Sequence, residues 1–354
     1  MVAGVTLSDV ARHAGVSQAT ASRVLNGSAR VPGEDVANRV RAAAAELGYF
    51  PNAQAQALAR RTSGLLGLVV HDIADPYFST IALGVQRAAR ARGMQTLLAS
   101  TERDPEAERE AVEAFIAHRT DGLILVGSRS HEFESDAALT GALRPYLDRG
   151  GRVVVVGQPL GTGGCVAPRN AEGSAALAGA LISAGHRRFA VLSGPAHLRT
   201  AVDRCAGFTR ALSGHGFRPE AVVAGEFTRD GGYLAAGDLL PLIGVPEAPA
   251  PLCVFAVNDV MAIGAIARWR AMGLEVPRDL SVAGFDDIPT LGDHSPSLTT
   301  VRLPLADLGD HAVRLLFAGA DGGTVPAAAR LDVDTTVVIR ESTDLGRWRG
   351  SGRR

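Results

Sequence analysis

Short apolar segments recur along this chain of 354 residues at nearly constant intervals. Four of them begin near residues 65, 94, 122 and 152, and four more begin near 188, 221, 252 and 280. Amphipathic stretches of helical length separate them. Continuous apolar strands joined by helical crossovers form parallel sheets that are covered on both faces. The sequence therefore predicts an α/β body with two similar lobes, each built around a parallel sheet.

Polar side chains follow several of these strands. Ligands of open α/β sheets bind beyond the carboxyl ends of the strands. We therefore expect a small-molecule site at these ends. The residues found there are His71-Asp72, Ser100, Ser128, Asn258-Asp259 and Asp286-Asp287.

The first 50 residues have a different pattern, that of an all-α head with three short helices. Thr6 and Asp9 have the spacing of a capping box, Gly15 suits a tight turn, and Ser17 suits the N-cap of the second helix. A third helix is predicted from Glu34 to Leu47. The first two helices have the spacing of a helix-turn-helix, whose second helix lies in the major groove of DNA.

The second predicted helix carries the chemistry for reading DNA. Gln18 can pair with adenine, Ala19 can contact a thymine methyl group, and Arg23 lies one turn later. Short polar groups suited to phosphate contacts are Ser17, Thr20, Ser22 and Asn26. The alternative is an ordinary helical hairpin, which also uses small residues and a glycine turn. The unbroken pattern favours DNA binding, as does the net charge of +3 over residues 1–61, where seven arginines face four acidic residues.

Residues 51–63 have the composition of a linker. The segment AQAQALARR has Leu58 as its only large apolar residue, so it cannot bury enough surface to be a stable helix alone. We expect it to become ordered only when something packs against it.

Composition excludes several other classes. Hydrophobic residues make up 46% and charged residues 21%, which is typical of a globular protein. The three cysteines are far apart, the apolar runs are too short to span a membrane, and the N-terminus lacks signal-peptide features. The glycine-rich segment GQPLGTGG lacks the phosphate-loop lysine, and no nucleophile elbow or third metal ligand is found. We expect a cytoplasmic protein without catalytic residues, metal or cofactor.

Motifs along nearly the whole chain are similar to those of the LacI/GalR family of bacterial transcriptional regulators. They are TLSDVARHAGVSQATASRVLNG, ELGYFPN, DPYF, DGLILVG, SAGHRRFAVLSGP, DRCAGF, VNDVMAIGA, VPRDLSVAGFDD and SPSLTTVRLPLADLG. The head motif is highly specific, and its combination with GFDD and LTT in this order is more specific still.

The resemblance implies a function for the linker. In such regulators the hinge helices of a dimer pair in the minor groove, and a leucine from each wedges into a central base step. Leu58 matches this residue, whereas Gln56 stands where many relatives have arginine. The predicted DNA contacts are Thr6, Ser17, Gln18, Ala19, Thr20, Ser22, Arg23, Asn26, Arg30, Tyr49, Asn52, Ala55, Gln56 and Leu58.

For the body, the resemblance implies a periplasmic-binding-protein-like fold: two lobes, three crossovers and a ligand between the lobes. The predicted effector-binding residues are His71, Asp75, Tyr77, Phe78, Arg204, Asn258 and Asp286. The alternative for Arg204 and Asp286 is a structural ion pair, and for the others a role in the core or between the lobes. Asp287 is expected to brace its loop. The expected effector is a sugar, with nucleosides and purines as alternatives. Arg169-Asn170 replaces the Asp-Asn of many relatives.

We predict four regions. They are a DNA-binding head (1–50), a hinge linker (51–63), a two-lobed body (64–345) and a disordered basic tail (346–354). The first lobe is expected at about 64–163 and 298–321, and the second at about 164–297 and 322–345.

The resulting hypothesis is a homodimeric, effector-controlled repressor that binds a near-palindromic operator in double-stranded DNA. A change of lobe closure would order or melt the hinge helices. One alternative is a solute-binding protein for uptake, which predicts a signal peptide and no DNA affinity. Another is an enzyme with a vestigial head, which predicts turnover of the bound ligand.

Overall fold

The structure is a computed structural model that describes residues 5–26, 32–50, 62–130, 133–245, 250–318 and 329–347. Its contacts divide the chain into two units, Met1–Gly64 and Leu65–Arg354, which we call the head and the body. Each unit is described by itself.

The head contains the three predicted helices, α1 (Leu7–His13), α2 (Gln18–Asn26) and α3 (Glu34–Glu46). Both halves of the predicted capping box are present, since Thr6 and Asp9 each accept the other's backbone N–H. Gly15 has a φ of 64°, the left-handed conformation that the turn between α1 and α2 requires. A small core joins the three helices; its buried members are Val10, Ala11, Ala21, Val24, Ala37, Val40, Ala43 and Ala44.

The body alternates strands and helices. Its strands are β1 (Leu65–Val70), β2 (Gln95–Ser100), β3 (Gly122–Gly127), β4 (Val153–Gly157), β5 (Gly164–Pro168), β6 (Arg188–Ser193), β7 (Pro219–Ala224), β8 (Leu252–Ala256), β9 (Ser281–Ala283), β10 (Thr300–Arg302), β11 (Arg330–Val333) and β12 (Thr336–Val338). Its helices are α4 (Pro76–Ala91), α5 (Pro105–Ala117), α6 (Phe133–Leu147), α7 (Asn170–Ser183), α8 (Arg199–Gly214), α9 (Arg229–Ala235), α10 (Asp259–Ala271) and α11 (Leu305–Phe317).

Two parallel sheets define two lobes, as the strand pattern predicts. Lobe one has a six-stranded sheet in the order β11-β5-β4-β3-β1-β2, and lobe two has a four-stranded sheet in the order β7-β6-β8-β9. All neighbours within each sheet are parallel. The strands β10 and β12 form a separate antiparallel pair. Each belongs to a segment that leads from one lobe to the other.

The lobe boundaries differ from those expected from the sequence. Residues 164–168 and 330–333 were assigned to lobe two, but β5 pairs with β4 and β11 pairs with β5 in the sheet of lobe one. The physical reason is the open edge of β4, whose unpaired backbone groups β5 satisfies. The chain therefore crosses to lobe two after Pro168, at the start of α7.

Helices cover the sheet of lobe one on both faces. α4 and α11 cover one face, and Val112, Phe115 and Leu143 from α5 and α6 pack on the other. α4 and α11 approach so closely that a Cβ on Gly84 would overlap the carbonyl oxygen of Ala306. Only glycine permits this crossing.

Candidate ligand cleft and DNA-recognition surface

The start of α2 is an exposed polar surface. Ser17, Gln18, Ala19 and Arg23 are exposed, and the first turn of α2 contains no acidic residue. The Ser17 hydroxyl accepts the Thr20 N–H at 3.1 Å, which caps the helix. The resulting positive helix end with exposed side chains suits an approach to phosphates and base edges.

The other predicted DNA contacts have different surroundings. The Thr6 hydroxyl donates to Asp9 at 2.6 Å, Tyr49 is half-buried against the head core, and Ser22 is half-buried. Asn26 ends α2. The remaining predicted contacts lie outside the described residues: Arg30, Asn52, Ala55, Gln56 and Leu58.

In the body, a cavity lies where strand ends of the two lobes face each other. All seven residues predicted to bind an effector line it, namely His71, Asp75, Tyr77, Phe78, Arg204, Asn258 and Asp286. The space around the lining residues that no atom occupies is about 360 Å³, open solvent included. We call this cavity the cleft.

The wall from lobe one is formed by the end of β1 and the start of α4. Asp75 is the N-cap of α4 and accepts the Tyr77 N–H at 2.9 Å, which fixes the two aromatic rings that follow. The rings of Tyr77 and Phe78 lie edge to face, with centroids 4.9 Å apart. Burial raises the pKa of Asp75 and lowers that of His71 well below its usual value, so His71 is neutral.

The wall from lobe two centres on Arg204 of α8, which is 2% exposed. Its Nε donates to Asn170 Oδ1 at 2.9 Å, its Nη1 to the Val257 carbonyl at 2.9 Å, and its Nη2 to Asp286 Oδ1 at 2.7 Å. The guanidinium also lies 3.9 Å from the centre of the Phe285 ring. Arg204 and Asp286 thus form the ion pair given as the alternative, and they line the cleft as well.

The two residues Arg169 and Asn170, noted in the sequence, have separate surroundings. Asn170 at the start of α7 is buried and orients the guanidinium of Arg204. Its neighbour Arg169 forms an exposed ion pair with Asp334 at 3.3 Å and does not line the cleft.

The loop after β9 holds Asp286 in an unusual backbone conformation. Asp286 and Asp287 have φ values of 123° and 56°, which non-glycine residues rarely adopt. The Asp286 N–H donates to the Val301 carbonyl at 2.9 Å, so a residue of the cleft pairs with β10. Asp287 braces the loop, as expected, through ion pairs with Arg302 and Arg340.

The start of α10 supports the same loop. Asn258 is the N-cap of α10 and accepts the Met261 N–H at 2.8 Å. The fully buried Asp259 accepts from the Thr300 hydroxyl at 2.7 Å and from the Ile288 N–H at 3.1 Å. Burial raises the pKa of Asp259 to about 7, an effect that these two hydrogen bonds oppose.

Four further residues line the cleft that were not among the predicted site residues: Arg103, Ser128, Thr200 and Phe227. Ser128 was visible as a polar residue after a strand. Arg103 and Phe227 lie beyond the ends of β2 and β7 in turns without a distinctive motif. Thr200 lies in the first turn of α8, and its role depends on contacts with the other lobe.

Hydrogen bonds across the cleft join the lobes on one side. The backbone N–H groups of Arg199 and Thr200 donate to the Arg129 carbonyl at 3.0 Å and to the Ser128 hydroxyl at 3.1 Å. The Gln158 amide donates to the Thr200 hydroxyl at 2.8 Å. These contacts hold the start of α8 against lobe one.

Two negative observations concern the described residues only. They contain no cluster of histidine, cysteine, aspartate and glutamate that could hold a metal ion. Among them, none of the helices combines the length and hydropathy that a membrane span requires.

Comparisons with known proteins agree with this architecture. Residues 6–52 match the family described as bacterial regulatory proteins, lacI family, and residues 178–343 match a periplasmic binding protein-like domain. The HTH-type transcriptional regulator GalS of Salmonella typhimurium is 35% identical over 342 residues, 96% of each chain. The lac repressor dimer bound to operator and the anti-inducer ONPF has a TM-score of 0.81 at 28% identity, over 96% of this chain and 99% of that chain. The CelR–cellobiose complex has a TM-score of 0.68 at 32% identity, with the same coverage. The chain belongs to the LacI family of bacterial regulatory proteins.

Proposed function

We propose that this protein is a homodimeric transcriptional repressor whose affinity for operator DNA is controlled by a sugar bound in the cleft. The observation that carries the proposal is the convergence of seven predicted residues on one cavity, in a chain that also has a helix-turn-helix head. Similarity to a repressor solved on its operator, over 96% of this chain, supports it.

The head supplies sequence recognition in this proposal. α2 enters the major groove, where Gln18, Ala19 and Arg23 reach base edges, while hydroxyl groups near the start of the helix contact phosphates. A dimer presents two such helices to a two-fold symmetric site. Leu58 of each chain wedges into the central step and bends the DNA.

The chemistry of the cleft suits a polyhydroxylated ligand. Tyr77 and Phe78 offer aromatic surface to a sugar ring, and Arg204, Asn258 and Asp286 offer donors and acceptors to its hydroxyl groups. CelR, a similar protein, was solved with cellobiose.

The proposal assigns no reaction to the cleft. His71 is the only imidazole among the described lining residues, and no hydroxyl group of that set forms a hydrogen bond with its ring. The Ser128 hydroxyl is engaged by the Thr200 N–H and the Arg129 carbonyl. A nucleophile activated by a base, which hydrolytic or transfer chemistry needs, is thus missing from this set of residues.

Ligand binding can change the conformation of the crossovers through the loop that contains Asp286. Asp286 faces the cleft, while its backbone pairs with β10. Its neighbour Asp287 forms ion pairs with Arg302 of β10 and with Arg340, which follows β12. A ligand that shifts Asp286 therefore acts on two of the connections between the lobes. In this proposal the link is the route by which ligand contacts with Asp286 bias the lobe closure that controls operator affinity.

The first test is a thermal-shift screen of the full chain against sugars, sugar phosphates, nucleosides and purines. A compound present at about 100 times its Kd adds about 2.7 kcal/mol of stability. We expect a sugar to raise the Tm of the wild type, and Asn258→Ala to lose that shift. A hit that is confined to nucleosides or purines would correct the ligand class, and a hit that Asn258→Ala retains would place the ligand elsewhere.

The second test selects double-stranded DNA from a random pool with wild-type protein and with Gln18→Ala. The wild type should enrich a near-palindromic sequence, and the variant should lose discrimination at one position of each half-site, by about 1–3 kcal/mol. Leu58→Ala should weaken binding to the selected site far more than binding to unrelated DNA. Failure of the wild type to enrich any symmetric sequence would refute operator binding. Adding the screened sugar then shows whether DNA is released or held more tightly.

A further inference from the structure

Arg103 bridges the two lobes at the mouth of the cleft. It follows β2 in lobe one, and its Nη2 donates to the carbonyl oxygen of Phe227, which follows β7 in lobe two, at 3.2 Å. The guanidinium carbon lies 5.9 Å from the centre of the Phe227 ring, within the range of a cation–π interaction. Both residues line the cleft.

The contact between Arg103 and Phe227 lies where opening of the lobes would separate them most. β2 and β7 are edge strands, each at the far end of its sheet from the strands that lead into the crossovers, β5 and β11 in lobe one and β9 in lobe two. Opening the lobes about the crossovers separates the far edges most. A contact between these edges therefore resists opening more effectively than one beside the crossovers.

Charges on both lobes favour the same arrangement. Asp72 and Asp75 of lobe one and Glu226 of lobe two all interact electrostatically with Arg103. Burial lowers the pKa of Arg103, and these three carboxylates oppose that shift, so the side chain keeps its positive charge. Arg103 therefore carries a positive charge that attracts carboxylates of both lobes.

The backbone before the contact is held in a rare conformation. Glu102 and Arg103 have φ values of 52° and 65°, in the left-handed region that non-glycine residues seldom occupy. The Glu102 N–H donates to the His71 carbonyl at 2.6 Å, which ties this turn to β1. Such strain persists only where the surrounding structure enforces it, and it is concentrated at functional sites.

We propose that Arg103 is a positioning residue that holds the cleft closed by joining lobe one to Phe227 of lobe two. Its use in regulation depends on the proposed function, because closure of this cleft is what a ligand would change. The effect of Arg103 on closure can itself be measured without any ligand. The two proposals can therefore fail independently.

Two backbone amides report directly on closure. The N–H groups of Arg199 and Thr200 are in the first turn of α8, where a helix provides no acceptor of its own, and both donate across the cleft to lobe one. Val202 donates instead to the Leu198 carbonyl within the same turn. Opening the lobes exposes the first two amides, whereas unfolding of α8 exposes all three.

The experiment is hydrogen–deuterium exchange of the full-length, ligand-free protein, resolved to single amides by fragmentation in the mass spectrometer. In Arg103→Ala the Arg199 and Thr200 amides should exchange about ten- to a hundredfold faster, the change expected for the loss of one hydrogen bond to a charged group. The Val202 amide should be unaffected. Arg109→Ala, which removes an exposed arginine of the same lobe, is the control and should change none of the three.

Arg103→Lys separates the charge from a purely structural effect. It keeps the positive charge between the carboxylates and should retain most of the protection, whereas Arg103→Gln should behave like the alanine variant. Equal exchange of Arg199 and Thr200 in the wild type and in Arg103→Gln would overturn the proposal. So would faster exchange of all three amides in both Gln and Lys variants, since that result means local unfolding of α8.

Discussion

Arg204→Met is the substitution whose outcome the structure defines most sharply. The variant keeps an apolar side chain against Phe285 but leaves the buried Asp286 carboxylate and the Asn170 oxygen without their donor. Above a pH of about 8, the value to which burial raises the pKa of Asp286, removing one partner of this buried ion pair costs about 3–5 kcal/mol, because the remaining charge stays buried and uncompensated. We expect the free energy of unfolding of the body to fall by about this amount.

Urea denaturation followed by the fluorescence of Trp269 measures the effect. Trp269 is fully buried in lobe two, where its Nε1–H donates to the Ala236 carbonyl at 3.1 Å. Arg229→Met is the matched control, since Arg229 and Asp230 form an exposed pair on the same lobe, and it should change stability by no more than about 0.5 kcal/mol. Protein concentration must be equal throughout, because dimerisation adds to the apparent stability.

The double variant Arg204→Met/Asp286→Asn completes a thermodynamic cycle. Removing the stranded charge should recover about 1–3 kcal/mol, the coupling expected between residues in direct contact. A loss below about 1 kcal/mol for Arg204→Met, with no recovery in the double variant, would refute the view that this pair stabilises the closed body.

The pH dependence of the Arg204→Met effect gives an independent check. Burial raises the pKa of Asp286, and Arg204 opposes this rise, so the pKa is higher still in the variant. A carboxyl group whose pKa is higher in the folded state contributes stability below its unfolded-state pKa and loses it as the pH rises through the folded-state pKa. The variant's deficit relative to wild type should therefore be constant below a pH of about 8, the wild-type pKa of Asp286, and grow as the pH rises above it; a deficit that stays constant there would contradict this.

Three further changes test separate parts of the molecule. Gly84→Ala should destabilise the body by about 1–3 kcal/mol, measured by urea denaturation, because its Cβ would overlap the Ala306 carbonyl. Gly141→Ala, whose Cβ meets open space, is the control. Equal stabilities of the two variants would contradict the close helix crossing. His71→Asn should reduce the loss of stability on acidification below the usual histidine pKa of 6.5, since burial keeps His71 neutral and unfolding takes up a proton there. Urea denaturation midpoints on both sides of that pH measure the effect. An unchanged dependence of the midpoint on pH would argue against a buried neutral imidazole. Ser17→Ala should cost about 1 kcal/mol through loss of the α2 cap, seen as faster amide exchange in α2 but not in α3, and unchanged exchange would mean that the cap contributes nothing.

The roles of Arg204 and Asp286 illustrate how ligand binding and folding share residues. Sequence reasoning treated ligand contact and a structural ion pair as alternatives for these two side chains. The geometry joins them, since the same pair lines the cleft and satisfies buried groups of lobe two. A variant that loses the ligand response must therefore be checked for stability before the loss is attributed to a missing ligand contact.

Local signals in the sequence were sufficient for the parts of the fold that depend on neighbouring residues. The capping box, the glycine turn and the capped α2 are interactions between residues at most a few positions apart, so the head could be derived from its sequence. The buried strands were also visible, because strands covered on both faces are continuously apolar. Polar residues after these strands identified the cleft, since parallel strands bring their carboxyl ends to one edge.

Only the tertiary structure assigned β5 and β11 to lobe one, because such short strands with glycine, proline or exposed residues join whichever sheet edge the fold leaves open. It alone revealed the contact of Arg103 with Phe227, whose positions are 124 residues apart, and the three partners of Arg204. The sequence by itself determined the class of fold and most of its elements, because these follow from periodicity and local chemistry, and its family motifs pointed to seven of the residues at the cleft. Which side chains meet across the cleft was decided by packing of the two lobes, a long-range property that no local pattern encodes.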